Sequence, residues 1–222
     1  MNAPRVLLAS GVLIVLLALT GCSSTVAGTA TWPGATLEQS LLTQADFPAG
    51  VHYDRIIEDP GVSGEGIGGP PSMLSKPQGC ANALTNVIAK TVDRGPGAAA
   101  KYNVTFDGAR IVMTVLSSRL DLGSLEAAAA RCEHFEAFFD AHSPGIPMTT
   151  TKLAAPAEGL AYQQTMQLRG GSDSVYMSFA NAGSKSVFGI AFAVPDPSVT
   201  VKATLPQTIL DITDRQVRRI RS

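Results

Sequence analysis

Histidine, cysteine and tryptophan are scarce in this chain: three, three and one among 222 residues. The three histidines fall at 52, 134 and 142. His134 and His142 sit eight positions apart, more than two helical turns, which is too far to share one metal ion. A surplus of either charge is also missing, since 17 basic residues meet 18 acidic ones. That leaves no basic excess to hold nucleic acid. No apolar run is long enough to span a bilayer, which takes about 20 residues; the longest goes from Val6 to Leu19. Catalytic signatures are lacking too. Gly61-Val62-Ser63-Gly64 has the wrong spacing for a nucleophile elbow, and the glycine-rich stretch 61–69 has no phosphate-loop lysine. The sequence therefore points to a non-enzymatic protein without a cofactor or metal.

What is present begins with Cys22. Arg5, the short apolar run and Leu19-Thr20-Gly21-Cys22 follow the order of a lipoprotein signal peptide: a positive start, an apolar centre, small residues, then a cysteine to acylate. The competing reading is a membrane-spanning anchor with an incidental cysteine, but no charged flank follows the run. Cleavage before Cys22 makes residues 1–21 the signal peptide. Two or more acyl chains hold a protein stably, at about 0.8 kcal/mol per buried CH₂. Residues 22–36, rich in Ser, Thr, Ala and Gly, then read as a tether carrying one folded domain, 37–222. The expected location is the extracytoplasmic face of the cell membrane.

Cys80 and Cys132 remain. An even pair in an exported, oxidising compartment implies a disulfide. The alternative, two free thiols in a metal or redox site, lacks a Cys-x-x-Cys spacing. Apolar periodicity puts both cysteines on inward faces. Cys80, Leu84, Val87 and Ile88 share one side of a helix over 77–91. Leu125, Ala128, Cys132, Phe135 and Phe139 step by three and four through a helix over 124–141. Two helices on one side of a sheet are then stapled together.

Other elements follow from the same patterns. Leu37–Ala45 predicts a short helix and Val51–Glu58 a strand. Gln78–Thr91 predicts a helix with Pro77 beside its first turn. Asp107-Gly108 suits the tight turn of a hairpin between Ala99–Phe106 and Ala109–Ser117. Ser124 is a candidate N-cap for the 124–141 helix. Met148–Leu153, Ala161–Leu168, Ser174–Ala180 and Ser186–Val194 alternate like a meander. Tyr162, Gln164, Met166 and Leu168 lie on one face. A last helix, over Lys202–Ile220, carries Pro206, which places its true start near Leu205. The expected fold is α+β: a twisted antiparallel sheet of about six strands with helices packed against it and one disulfide.

Candidate polar clusters are few. Glu133, Glu136 and Asp140 read as the solvated face of the 124–141 helix, beside Arg131. Asp54, Glu58 and Asp59 flank an irregular stretch without calcium-loop spacing. Arg215, Arg218, Arg219 and Arg221 end the last helix, where its dipole is negative; contact with anionic lipid is the sharper reading. The Gly/Pro stretch 61–77 is either an insertion or a lip over a cleft between the stapled helices and the sheet.

The segment Leu41-Leu42-Thr43-Gln44-Ala45-Asp46-Phe47-Pro48-Ala49-Gly50, the helix around Cys80, the helix with Cys132 and the strands after it carry a resemblance. The chain resembles small actinobacterial, especially mycobacterial, cell-envelope lipoproteins. Their exported domain is similar to the extracellular sensor domain of the H-type serine/threonine kinase. The resemblance covers roughly 37–220. It implies a cleft, structural disulfides and a sensor-like, ligand-binding role; the two disulfides of the kinase domain become one here. The expected partners are the membrane, through the lipid anchor, and a small amphipathic ligand or an envelope protein, with no nucleic acid. The ligand-binding residues stay unassigned. A lipid or glycolipid carrier and an envelope hydrolase of unknown substrate are the rival readings.

Overall fold

The computed structural model describes residues 34–56, 73–92, 95, 97–106, 108–155, 158–194 and 205–222. The signal peptide, Cys22, nearly all of the tether and residues 57–72 lie outside the described residues. Helix α1 (Ala35–Gln39) is followed by a 3-10 turn at Gln44–Asp46 and strands β1 (His52–Ile56) and β2 (Leu74–Lys76). Then come α2 (Ala83–Thr91), the hairpin β3 (Ala99–Phe106) and β4 (Ala109–Leu116), and α3 (Leu122–Arg131). The second half holds β5 (His134–Phe138), β6 (Ile146–Leu153), β7 (Gly159–Leu168), β8 (Gly171–Ala182), β9 (Lys185–Ala193) and α4 (Leu205–Arg221).

The strands form one sheet in the order β1-β3-β4-β9-β8-β7-β6-β5-β2. Every neighbouring pair runs antiparallel. Among the described residues the sheet has nine strands, not the expected six, with four helices against it. The hairpin register is as the turn dictates. Phe106 pairs with Ala109, and Gly108 takes a φ of +75°, which a glycine adopts at no steric cost.

Seven of the nine strands lie in the segments whose pattern predicts them; the other two, β5 and β2, form in stretches with a different expectation. The helix expected over 124–141 ends at Arg131, and β5 begins at His134. Phe135 and Ala137 are buried while His134 and Glu136 face out, an alternation with period two. Phe139, expected on the inward helical stripe, is 74% exposed. The N-cap is Asp121 rather than Ser124: its carboxylate accepts the Ser124 N–H at 2.9 Å and the Ser124 hydroxyl at 2.7 Å. These bonds hold the Asp121 carboxyl below its usual pKa. The three-residue β2 lies inside the stretch read as least regular and pairs with β5.

Two other helices are shorter than their sequence patterns. Gly79 sits at φ +81°, which no helix tolerates, so α2 starts at Ala83 rather than at Gln78. The segment 37–45 divides because α4 holds its middle. The Leu42 N–H donates to Gln216 Oε1 at 3.0 Å, and Gln216 Nε2 donates to the Ser40 carbonyl at 2.7 Å. Thr43 and Asp46 then close a capping box around the 3-10 turn.

Helices pack on both faces of the sheet. On one, α4 lies across β4, β8 and β9, and α1 sits against β3. Ile209, Ile212 and Val217 of α4 meet Ile111, Met113, Val115, Val187 and Ala191 there. The helix approaches closely because residue 189 is glycine: a Cβ on it would lie 2.7 Å from Ser178 Oγ and 3.0 Å from Met113 Cε. Ser178 Oγ in turn shares a 2.6 Å hydrogen bond with Thr213 Oγ1. On the other face, α2 and α3 pack Leu84, Ile88 and Leu125 over Leu116, Phe179 and Phe188. Burying each such aliphatic side chain contributes about 1.5–3 kcal/mol. Cys80 and Cys132 are joined, their Cα atoms 5.4 Å apart, and tie the approach to α2 to the end of α3.

Candidate ligand-binding surface

The site is built on the sheet face that α2 and α3 cover only in part. Antiparallel pairing lays Phe192, Val175, Gln164 and Thr150 side by side across β9, β8, β7 and β6. One pair further on, Met166 lies beside Met148. Phe192 and Leu168 are exposed, whereas Met148, Met166 and Val175 are half-buried. Met148 and Val175 also pack against the core under the helices, so the strip is continuous with that core. Two soft thioethers and an aromatic ring form a surface that adapts to an irregular apolar shape.

Polar groups interrupt the strip at defined points. Gln164 Nε2 donates to Thr150 Oγ1 at 3.3 Å. Two residues along β7, Tyr162 is 2% exposed, and its hydroxyl has no hydrogen-bond partner. Its ring lies 6.2 Å from that of Phe179, which stacks on Phe188 at 5.2 Å. Lys152 pairs with Tyr162 across the strands and bridges to Glu126 of α3. Burial, and secondarily the Glu126 charge, push the Tyr162 phenol up to about 12. The group is therefore a neutral donor at physiological pH. A buried, unpaired hydroxyl costs about 1–3 kcal/mol, and a ligand acceptor would recover that cost.

The opposite face holds a second aromatic group. Phe47, Tyr53 and Tyr102 have centroids 5.4–6.2 Å apart, and Arg215 lies over Phe47 at 5.3 Å. Tyr53 donates to the Leu42 carbonyl at 2.8 Å, while the buried Tyr102 hydroxyl is unpartnered. Burial raises the pKa of both phenols.

The residues singled out from the sequence are scattered. His52 Nδ1 pairs with Asp54 at 3.1 Å on exposed β1, and His134 Nε2 lies 3.7 Å from Glu133. The His142 N–H donates to Asp140, whose carboxylate organises a turn. Glu136 stands on β5, so Glu133, Glu136 and Asp140 do not share a helix face. Among the described residues no group of three His, Cys, Asp or Glu could hold a metal ion. No described helix is long and apolar enough to cross a membrane. Glu58, Asp59 and the glycine-rich part of the lip, through residue 72, lie outside the described residues. The face shared by Tyr162, Gln164, Met166 and Leu168 is present as expected. Met148 and Phe192 escaped notice because their place beside it depends on pairing between strands far apart in sequence.

No family model matches the chain, and no curated protein matches it. A solved structure from Mycobacterium smegmatis, a putative uncharacterized protein (Rv0999 ortholog), is similar over 86% of this chain and 100% of its own, with a TM-score of 0.50. At 13% identity that similarity establishes a shared fold and nothing finer.

Proposed function

We propose that this chain is an exported lipoprotein, acylated at Cys22 and held at the outer face of the cell membrane. Its α+β body serves a sensor-like, non-enzymatic role, binding a small amphipathic ligand. The support for export is the arrangement around Cys22 together with a Cys80–Cys132 disulfide, a bond that persists in oxidising compartments. The observation that carries ligand binding is the half-exposed strip of Met148, Met166, Val175 and Phe192, with Tyr162 and its buried, unpartnered hydroxyl further along the same face of β7. An acyl or prenyl chain fits the strip, and a carbonyl, hydroxyl or ether oxygen fits the donor.

Titration of the purified protein with a fluorescent long-chain fatty acid tests the reading. Saturable binding is expected, weakened about tenfold or more by Met166→Glu, which sets a second negative charge beside Asp173, its partner across the strands, and repels the fatty-acid carboxylate. Met166 is half-buried at the sheet surface, so the variant should retain the wild-type circular dichroism. Absence of saturable binding, or equal binding by folded Met166→Glu, would count against the strip as the site.

A further inference from the structure

Two features converge on the end of the sheet where β4 finishes. The first is where the chain arrives from Cys22. A Cβ on Gly34 would lie 2.8 Å from the Gly97 Cα, so Gly34 abuts the connection that leads into β3. Ala99, which begins β3, pairs with Leu116, the last residue of β4. The second is cationic. Arg221 closes α4 and donates to the Asn181 carbonyl at 3.3 Å; Asn181 pairs with Ser186, and Ser186 with Leu116. Arg119 donates to the Gly183 carbonyl at 2.6 Å in the same region, and Lys185 opens β9 there. Arg218 and Arg219 stand exposed one turn or less from Arg221.

Neutralisation is incomplete. Arg218 bridges to Asp214 and Arg221 to Glu158 at 2.8 Å, Asp46 lies within reach of the Arg219 and Arg215 charges, and Asp121 caps α3 nearby. The helix dipole accounts for arginines at the end of α4. It does not account for Arg119 and Lys185, which sit on two other connections, or for the arrival of the tether at the same end. The twelve residues from Cys22 to Thr31, Trp32 and Pro33 reach at most about 40 Å. An acylated Cys22 therefore holds this end within about 40 Å of the bilayer.

We infer that this cationic end of the sheet docks on anionic lipid headgroups, fixing the domain's orientation with the β4–β9 end toward the membrane. The inference rests on acylation of Cys22. The lipid chains supply the anchor, and Arg119, Lys185, Arg218, Arg219 and Arg221 supply the orientation.

The test uses the mature protein reconstituted into phosphatidylcholine vesicles, with or without about one-third phosphatidylglycerol, read by amide hydrogen exchange. Exchange at 117–121, 183–186 and 215–222 should slow on the anionic vesicles, and the slowing should vanish in high salt. Arg218→Gln/Arg219→Gln should abolish it while leaving the melting temperature and vesicle recovery unchanged. Equal exchange on both vesicle types would overturn the docking while leaving the anchor intact. Slowing produced only by a soluble polyanion such as dextran sulfate would overturn it in favour of an envelope polymer. Loss of the protein from neutral vesicles would instead refute acylation. Co-sedimentation of that soluble form would still decide the docking: salt-sensitive capture by anionic vesicles, reduced on the order of tenfold or more in the double variant, would uphold it, and no capture would overturn it.

Discussion

Two phenols and one amide show how differently buried polar groups can be treated. Tyr102 and Tyr162 keep their hydroxyls out of water without a partner, so removing the oxygen relieves a penalty. Tyr102→Phe and Tyr162→Phe should leave urea stability unchanged or raise it by about 1 kcal/mol, whereas Tyr53→Phe, which loses the bond to Leu42, should lower it by about 1 kcal/mol. Both buried phenols titrate higher in the folded protein than in the unfolded chain, where the value is about 10. Their contribution is thus complete below pH 10. For Tyr162 it is lost as pH rises from about 10 to 12, at up to about 1.4 kcal/mol per pH unit. Stability measured against pH should fall above 10 in the wild type and fall less steeply in Tyr162→Phe. Gln216 is the reverse case, fully buried and bonded at both ends of its amide. Gln216→Ala strands the Leu42 N–H and the Ser40 carbonyl. It should cost about 2–4 kcal/mol in equilibrium unfolding and loosen residues 40–46 toward hydrogen exchange.

Elements were legible where one period dominated and ambiguous where two fitted. The hairpin β3–β4 and the meander β7–β9 follow from alternation and turn chemistry, and the apolar stripe of the last helix is present over Leu205–Arg221. The stretch after Cys132 fits both templates: Phe135 and Phe139 continue the helical spacing, while Phe135 and Ala137 alternate as a strand. Tertiary pairing decided it, because β5 supplies the partner for both β6 and the three-residue β2. The disulfide acts at this boundary, fastening the end of α3 beside the approach to α2. Closing a separation of 52 residues stabilises the fold by about 4 kcal/mol in the chain-entropy model. Cys80→Ser should lower the melting temperature under oxidising conditions by several degrees or more, and the difference from wild type should disappear once both are reduced. A close approach makes a second element-scale test. Gly189→Ala forces a methyl against Ser178 Oγ and Met113 Cε and should cost about 1–3 kcal/mol. Ser178→Ala in the same chain should restore part of that, since Thr213 keeps its 2.8 Å bond to the Ile209 carbonyl.

At the scale of the whole molecule, the α+β class and the helix pair on one face could be read from the sequence, but the strand order could not. β1 and β2 follow each other in sequence and stand at opposite edges of the sheet, an arrangement that no local period encodes. The candidate surface inherits this: its β7 residues were visible, while Met148 and Phe192 join them only through register. Topology also ties the three cysteines into one prediction. Cys22 has no thiol partner left once Cys80 and Cys132 are joined, so its fate reports on export alone. If it is acylated, the mature protein should show no free thiol before reduction and two after it, by alkylation and intact mass, with the added mass of a diacylglyceryl group on the N-terminal cysteine. Cys22→Ser should block processing and leave residues 1–21 attached. Three alkylatable thiols in the native protein would mean that neither acylation nor oxidation had occurred. The sensor-like reading would then lose its location, and the cationic end of the sheet would lose the anchor that brings it to the bilayer.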